Sequence, residues 1–414
     1  MTSKKPSACY RLLHTADWHL GKMLNDQSRD EEHAQFLEWL LLAVKEHEVD
    51  AIVLAGDVFD SANPPQSAQA LYYNFVSELF NQDRPALVVV AGNHDSAALL
   101  ESPKKALRAL NVHVVGLMAE TPAERVLLLP SQKNPLVAVA MIPFLRDRDL
   151  RTGKAGESAT EIQRQLVEGI RARYEETASC LDAVAQNCPA IATGHLTVAG
   201  SISSDAEREI HIGGLGAVGS DAFPARFGYV ALGHLHRPQV AGGDARVRYS
   251  GSPFPLSFSE VQDSKEVRIL DIEAGGISHQ SLPVPRFRPL HQIRSTMAEL
   301  EADISKFEPQ SGSLEAWVEV VVSDASLQDD LNSRVQELVE SRNFKVLKVL
   351  RGGMVGVTGL GAEDRTDDEA IDSLLENPLN VFDHLLAQKT GLSPEELEQL
   401  RTAFSELLDK RANQ

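Results

Sequence analysis

Five short segments of this sequence carry side chains that can bind divalent cations, and each follows an apolar, strand-like run. They are Asp17-Trp18-His19, Gly56-Asp57, Gly92-Asn93-His94-Asp95, Gly194-His195 and Gly233-His234-Leu235-His236. Side chains alternate along an extended chain, so D-x-H and H-x-H each place two ligands on the same side. The glycines allow the backbone to turn tightly and to approach a ligand closely.

Together these segments offer the donors that a pair of divalent cations requires. Two cations about 3.5–4 Å apart need a bridging carboxylate and several nitrogen and oxygen ligands. Two aspartates, one asparagine and four histidines fit that requirement, with His94 in addition, and the mixture suits Mn²⁺ or a similar cation. The chemistry would be hydrolysis of a phosphate ester by activated water. Each segment alone is common in ordinary turns, so the prediction depends on all five occurring together.

The intervening sequence must bring these segments to one place. Between residues 10 and 280, buried strand-like runs alternate with helical stretches, which predicts an α/β fold with sheets covered by helices. The predicted strands cover residues 11–14, 50–55, 86–91, 136–142, 190–193 and 229–232, and the predicted helices cover 36–45, 70–80 and 162–185. In layered α/β folds the loops at strand ends converge on one edge, where ligands bind.

The later part of the chain reads as separate units. A proline-rich stretch at 283–289 predicts a linker, and residues 290–358 then show a β-α-β-α-β pattern typical of a small α+β domain. An acidic stretch at 359–370 precedes two short helices with N-terminal signals at Asn377-Pro378 and Ser393-Pro394. We therefore predict domains at 1–283 and 290–358 and a helical segment at 371–414.

Composition limits the setting in which this protein works. The 414 residues include only three cysteines, Cys9, Cys180 and Cys188, with no C-x-x-C pair, which indicates a reducing compartment. No signal peptide or membrane-spanning run is evident, so we expect a cytoplasmic protein that does not bind membranes. The net charge of −19 means that metals or a second subunit must supply positive charge to a nucleic-acid partner. Basic residues at 146–154 and 104–108 could contact phosphate, but a solvated surface is the simpler interpretation.

The five segments resemble the D-x-H, G-D, G-N-H, G-H and G-H-x-H blocks of the calcineurin-like metallophosphoesterase superfamily. Within it, HTADWHLGK at 14–22, GDVFD at 56–60 and YSGSPFPLSFSE at 249–260 resemble the SbcD family of bacterial nuclease subunits. Protein Ser/Thr phosphatases of the superfamily carry G-D-x-x-D-R-G and G-N-H-E instead. Here Ser61-Ala62 follows Asp60 and Asp95 follows His94, which disfavours the phosphatase interpretation.

The resemblance implies a fold and a set of site residues. The expected fold is an αββα metallophosphoesterase sandwich of two sheets, with a small α+β domain that caps the DNA and with C-terminal helices. One divalent metal ion would be bound by Asp17, His19, Asp57 and His236, and the second by Asp57, Asn93, His195 and His234. The expected cofactors are two Mn²⁺ ions, with Mg²⁺ as the alternative. His94 would stabilise the transition state or assist the leaving group, unless it only forms a hydrogen bond with a ligand.

The resemblance also implies a substrate and partners. The expected activity is metal-dependent exonuclease and endonuclease cleavage of double- and single-stranded DNA, at double-strand ends and hairpins, in repair, recombination and replication. It would leave a 3′ hydroxyl and a 5′ phosphate. The expected partner is the SbcC ATPase, bound through residues 371–414, with docking of these residues on this chain's own surface as the alternative. This chain has no Walker A motif of its own. A homodimer is expected, with helix 70–80 as a candidate surface and packing of this helix in the core as the alternative. Two alternatives remain open, a phosphoesterase for a small phosphodiester or phosphomonoester and a non-catalytic scaffold that tethers DNA.

Overall fold

The computed structural model describes residues 5–6, 9–153, 157–204, 207, 217–310, 312–325 and 330–352. The described residues up to Arg351 belong to one compact unit. The acidic stretch at 359–370, the predicted helices at 371–414 and Lys154 lie outside the described residues.

Seventeen strands are described, most of them short. They are β1 (Tyr10–Thr15), β2 (Met23–Leu24), β3 (Gln27–Ser28), β4 (Ala51–Ala55), β5 (Ala86–Val90), β6 (Val112–Val115), β7 (Val126–Leu129), β8 (Val137–Ala140), β9 (Ala190–His195), β10 (Tyr229–Gly233), β11 (Gln239–Val240), β12 (Val247–Tyr249), β13 (Glu266–Glu273), β14 (Gly276–Pro283), β15 (Leu290–Ser295), β16 (Ala316–Val322) and β17 (Phe344–Arg351).

Eight α-helices are described with them. They are α1 (Asp30–Glu46), α2 (Gln66–Phe80), α3 (Ala97–Glu101), α4 (Lys104–Ala109), α5 (Asp147–Leu150), α6 (Ala159–Ala185), α7 (Leu300–Lys306) and α8 (Leu331–Val339). In the described part of the chain, none of the helices combines the length and apolar character that a bilayer span requires.

Two six-stranded sheets form the body of the molecule. The first has the order β14-β13-β1-β4-β5-β6 and the second the order β11-β12-β10-β9-β8-β7. Strands β1, β4, β5 and β6 run parallel to one another, and so do β8, β9, β10 and β12, with antiparallel strands at the edges. Parallel neighbours end on the same side, so the loops that follow them meet at one edge of each sheet.

The two sheets pack face to face with helices outside, and this confirms the predicted αββα sandwich. Side chains from both sheets, such as Val53 and Ile191, share one buried cluster between them. The other face of the first sheet packs against α1 and α2, where Phe36 and Phe75 are buried. The second sheet packs in the same way against α6. Strands buried on both faces are apolar along their whole length, which explains the continuous runs in the sequence.

Residues 290–351 form the predicted β-α-β-α-β unit, with a parallel sheet of order β15-β16-β17. Trp317 and Leu290 from this sheet pack against Leu24, Phe258 and Val261, which belong to the larger part of the unit, the part with the two six-stranded sheets. The small sheet therefore shares a buried contact with the hairpin of β2 and β3 and with the segment that precedes β13.

The antiparallel hairpin of β13 and β14 was missed by the sequence prediction. Its outer strand, β14, has the sequence GISHQSLP, and its residues are exposed or partly exposed along its length. An edge strand of this kind has neither a continuous apolar run nor a buried face, so hydrophobic periodicity does not reveal it.

Candidate metal centre

The predicted ligands lie at the ends of five parallel strands. Asp17 and His19 follow β1, Asp57 follows β4, and Asn93 and His94 follow β5 in the first sheet. In the second sheet His195 ends β9, while His234 and His236 follow β10. Within each sheet these ligand-bearing strands run parallel to one another, so their side chains reach the same edge of the sandwich.

Several of these residues adopt a backbone conformation that is rare for residues other than glycine. The φ angle is 54° at Asp17, 47° at His19, 49° at Asp57 and 100° at His234. Left-handed backbone costs energy at a residue with a Cβ and persists only where surrounding contacts determine it. The concentration of such residues at one edge indicates a functional site.

Backbone hydrogen bonds hold the loops after β1 and β4 together. The N–H of Asp17 donates to the carbonyl oxygen of Gly56 at 3.0 Å, and the N–H of His19 donates to that of Asp57 at 3.0 Å. The buried carboxylate of Asp95 then accepts from the N–H groups of Val58, Phe59 and Gly92. The first three ligand segments therefore form one connected structure.

Glycine is required at two positions by close approach. A Cβ on Gly56, which has a φ of 94°, would overlap the imidazole of His195. A Cβ on Gly92 would overlap the carboxylate of Asp57. Any side chain at either position would displace a predicted ligand.

Asp57 lies at the centre of the cluster. Its Oδ2 lies 3.5 Å from Nε2 of His19 and 3.3 Å from Nε2 of His195. Its Oδ1 accepts the backbone N–H of His94 at 2.9 Å. Nε2 of His195 also lies 2.8 Å from Oδ1 of Asn93. A carboxylate between two imidazoles from different sheets has the position that a bridging ligand needs.

The other predicted ligands surround this pair. Oδ1 of Asp17 accepts the backbone N–H of His234 at 2.8 Å, which ties the loop after β1 to the loop after β10. The ring of His234 lies 5.4 Å from that of His195, and the ring of His236 lies 5.1 Å from that of His19. All seven predicted ligands are thus brought into one cluster.

His94 lies beside the cluster. Its ring centroid is 4.7 Å from that of His19, and its Nδ1 lies 2.7 Å from the backbone carbonyl oxygen of Asp60. A carbonyl can only accept, so Nδ1 carries the proton in this contact. Side-chain atoms of His19, Asp57 and His94 lie within 4.8 Å of one another, as do those of Asp17, Asp57 and His195.

Burial and neighbouring charge shift the pKa values of the cluster in different directions. Burial raises the pKa of Asp17 to about 7, against the attraction of His195. The pKa of Asp57 is lowered, because His195 and His19 stabilise its negative charge by more than burial opposes it. Burial opposes protonation of His195, but the charge of Asp57 raises its pKa to about 9. Two buried carboxylates in contact with imidazoles form a site that positive charge would stabilise.

Two buried atoms support a cation at this position. Oδ2 of Asp17 and Nε2 of His19 are both buried and have no hydrogen-bond partner among the described residues. Buried polar atoms in native structures are normally paired, and a bound ion is one accepted reason for an exception. The donor set of carboxylate, imidazole and amide oxygen fits divalent cations. The cluster is therefore a divalent-metal site.

Comparison with known proteins places this site in a family. Residues 10–238 match the calcineurin-like phosphoesterase family. The SbcD subunit of the nuclease SbcCD from Escherichia coli strain K12 is 40% identical over 345 residues, which are 82% of this chain and 85% of that protein. The chain belongs to the SbcD family of calcineurin-like phosphoesterases.

Further relatives agree with this assignment. The SbcD subunit of the nuclease SbcCD from Rhodobacter capsulatus is 44% identical to the SbcD-family chain, over 68% of the chain and 71% of the relative. The Bacillus subtilis protein of that name is 32% identical, over 92% of the chain and 93% of the relative. Residues 286–390 match a second family, the type 5 capsule protein repressor C-terminal domain. The SbcD-family chain is therefore an enzyme, a metal-dependent nuclease of the phosphoesterase type.

Sequence reasoning overlooked the residues that support the ligands of this SbcD-family chain. Oδ1 of Asp60 lies 3.1 Å from Nδ1 of His19, and Glu260 makes the equivalent contact to His236. Asp60 and Asp95 fall inside the G-D-V-F-D and G-N-H-D segments, and Glu260 ends the 249–260 block. Position within a motif was thus the available signal, because neither residue type nor spacing distinguishes a supporting carboxylate.

Two of the basic residues considered for phosphate contact are engaged in ion pairs. Arg151 forms an ion pair with Glu157 at 2.6 Å, and Lys104 forms one with Glu101 at 3.7 Å. Both pairs neutralise charge that a phosphate would otherwise meet, which disfavours Arg151 and Lys104 as phosphate contacts in the SbcD-family chain.

Proposed function

We propose that this chain is the nuclease subunit of an ATP-dependent complex and hydrolyses phosphodiester bonds in DNA with two divalent cations. The observation that carries this proposal is the position of Asp57, whose Oδ2 lies between Nε2 of His19 and Nε2 of His195 at 3.5 and 3.3 Å. A carboxylate shared by two groups of ligands is the feature that distinguishes a two-metal site from a single-metal site.

The proposed ligand sets follow from the resemblance and are supported by the side chains that surround Asp57. Asp17, His19, Asp57 and His236 would hold one cation, and Asp57, Asn93, His195 and His234 would hold the other. The contact between His195 and Asn93 at 2.8 Å supports the second set. The contact between the rings of His19 and His236 supports the first.

Two bound cations would supply a nucleophile from water near neutral pH and would neutralise negative charge on the phosphoryl group. Mn²⁺ is the proposed metal, because imidazole combined with carboxylate and amide oxygen suits a borderline cation better than Mg²⁺. His94 would act on the departing oxygen, because its ring lies beside the proposed ligands and is oriented by the contact of its Nδ1 with Asp60.

The proposed substrates are double-strand ends and hairpins, cut to a 3′ hydroxyl and a 5′ phosphate during repair, recombination and replication. The support is family membership, since the relatives are named as subunits of the nuclease SbcCD. The proposed partner is the SbcC ATPase, and residues 371–414 remain its predicted binding segment. The domain limits of 1–283 and 290–358 are proposed on the same basis, with the small α+β unit covering the DNA.

A homodimer and a cytoplasmic location are also proposed. Within helix α2, Tyr72 and Phe75 are buried in the core, while the side chain of Tyr73 is 37% exposed. The candidate dimer surface is thereby reduced to the face of α2 that carries Tyr73. All three cysteines are free, which supports a reducing compartment.

The test is a nuclease assay on linear duplex DNA with Mn²⁺ and ATP, with and without the ATPase subunit. We expect duplex cleavage by the complex and its loss in the Asp57→Asn variant, which should bind less metal. A small phosphodiester, a cyclic nucleotide and a phosphomonoester are assayed in parallel. Efficient turnover of one of these with no cleavage of DNA by the complex would overturn the proposal. Undiminished DNA cleavage by the Asp57→Asn complex would mean that catalysis takes place outside this site, and it would favour a tethering scaffold as the role of this chain.

A further inference from the structure

His236 makes polar contacts with both members of the buried ion pair of Glu260 and Lys265 and with Glu207. Nδ1 of His236 lies 3.1 Å from Oε1 of Glu260, and Nζ of Lys265 donates to the backbone carbonyl oxygen of His236 at 2.8 Å. Nζ of Lys265 also donates to Oε2 of Glu260 at 2.6 Å. The backbone N–H of His236 donates to Oε1 of Glu207 at 2.8 Å.

The ion pair has almost no contact with solvent. The side chain of Glu260 is 0% exposed and that of Lys265 is 4% exposed. The remaining acceptor capacity of Glu260 is filled by the hydroxyl of Ser204 and by the backbone N–H of Leu256. Removing two charges from water is expensive, and well-packed apolar residues are often as good or better for stability. A role in stability alone is therefore a weak explanation for this pair.

The contact with Glu260 determines which nitrogen of His236 faces the metal centre. A carboxylate can only accept, so Nδ1 is the protonated nitrogen and Nε2 is left as a neutral donor for a cation. His19 and His195 are arranged in the same way. Nδ1 of His19 is directed to the carboxylate of Asp60, and Nδ1 of His195 to the carbonyl oxygen of Ala55. Among the described residues, Glu260 is thus one of three acceptors that orient imidazoles of the predicted ligands.

The acceptors differ between the two proposed ligand sets. His19 and His236, in the set with Asp17, are each backed by a carboxylate, whereas His195 is backed by a neutral carbonyl group. A carboxylate partner raises the basicity of an imidazole more than a carbonyl does. The set that contains His236 should therefore bind its cation more tightly, and Glu260 should contribute to the difference.

We propose that Glu260, held in place by Lys265, is a positioning residue for His236 and strengthens cation binding by the ligand set of Asp17, His19, Asp57 and His236. This inference rests on the proposed function, since it takes His236 as a metal ligand. It adds a residue whose effect is exerted through His236 and that does not touch the substrate.

The test compares Mn²⁺ binding by metal-free protein, measured by calorimetry, in the parent and in Glu260→Gln. We expect one of two binding events to weaken by about 10- to 100-fold, as for other residues that support metal ligands, with the second event nearly unchanged. Glu32→Gln is the matched control. Glu32 forms an equally buried pair with Arg29 at 2.6 Å, and its described contacts include none of the predicted ligands. This control should bind Mn²⁺ like the parent.

A second variant separates positioning from folding. Replacement of both partners, Glu260→Met with Lys265→Met, removes the charges while keeping similar volume, and such apolar replacements are often tolerated. We expect a folded protein with an unaltered melting temperature or a higher one in EDTA, and with the same weakened binding event. Parent-like Mn²⁺ affinity in either folded Glu260 variant would overturn the inference. If the parent itself bound no Mn²⁺, or if Asp57→Asn bound it equally well, the proposed function would fail instead.

Discussion

Oδ2 of Asp57 lies 3.3 Å from Nε2 of His195, although Asp57 follows a strand of the first sheet and His195 ends a strand of the second. The contact exists because β4 and β9 both end at the same edge of the sandwich. It makes the metal centre a property of the interface between the sheets, so a change that alters their spacing should alter the site.

His94→Ala should separate metal binding from turnover. The backbone N–H of His94 donates to Asp57, and the ring of His94 is held by the carbonyl oxygen of Asp60. Truncation removes only the ring, so the proposed ligands stay in place. We expect metal content close to that of the parent and turnover lowered by about 100-fold or more, the range typical of a lost general acid. Metal content is measured by mass spectrometry and turnover on duplex DNA. A metal content near zero would instead show that His94 is a ligand.

Gly56→Ala should disrupt the site by steric overlap with His195. The added Cβ would meet the imidazole, and the φ of 94° adds backbone strain. We expect a loss of unfolding free energy of about 2–4 kcal/mol in EDTA, together with weaker Mn²⁺ binding.

Gly243→Ala is the control for that substitution. Gly243 also has a positive φ, of 75°, but an added Cβ would have no heavy atom within 4 Å. It should show only the cost of backbone strain, about 1 kcal/mol, and unchanged Mn²⁺ affinity. Equal effects of the two substitutions would mean that the contact between Gly56 and His195 does not constrain the site.

Stability should fall with acidification because of buried, neutral His14. Burial lowers the pKa of His14 to about 3, and its Nδ1 is hydrogen-bonded to the hydroxyl group of Tyr229 at 3.0 Å. Between about pH 6.5 and pH 3 the unfolded chain binds a proton that the folded chain does not. The contribution of His14 to stability is therefore present above pH 6.5 and is lost as the pH falls, by about 2 kcal/mol at pH 5.

The measurement is urea unfolding at pH 8 and pH 5 in EDTA for the parent and His14→Gln. The difference in unfolding free energy between the two pH values should be smaller in His14→Gln by about 2 kcal/mol. Other titrating groups are present in both proteins and cancel in this comparison. The same pH dependence in both would mean that His14 is protonated in the folded state.

Trp317→Ala should loosen the small sheet from the larger part of the unit. Trp317 is buried against Leu24 and Phe258, and the guanidinium of Arg288 lies 4.0 Å from its ring centroid. Truncation should cost about 3–5 kcal/mol locally. Hydrogen exchange should show faster exchange of amides in β15–β17 and in the hairpin of β2 and β3. Trp39→Ala on α1 is the control, and faster exchange there should be confined to α1 and its neighbours. Unchanged exchange in the small sheet of Trp317→Ala would contradict this account.

The sequence alone determined the parts of the protein that depend on local pattern. The runs at Ala51–Ala55 and Ala86–Val90 are buried throughout, and continuous apolar composition is a local signal of a strand covered on both faces. The types of the ligand residues were equally visible, because aspartate and histidine next to glycine at a strand end have a limited set of roles.

Only the tertiary structure decided which side chains meet. The positions of Asp57 and His195 depend on the packing of one sheet on the other, and the support of His236 by Glu260 and Lys265 depends on a loop that reaches back to the strand end. Exposed edge strands such as β14 could not be predicted from the sequence for a related reason, since their pairing is determined by a neighbouring strand and not by their own composition. Composition and periodicity record the burial of each segment, whereas contacts between distant segments are determined by the packing of the whole chain.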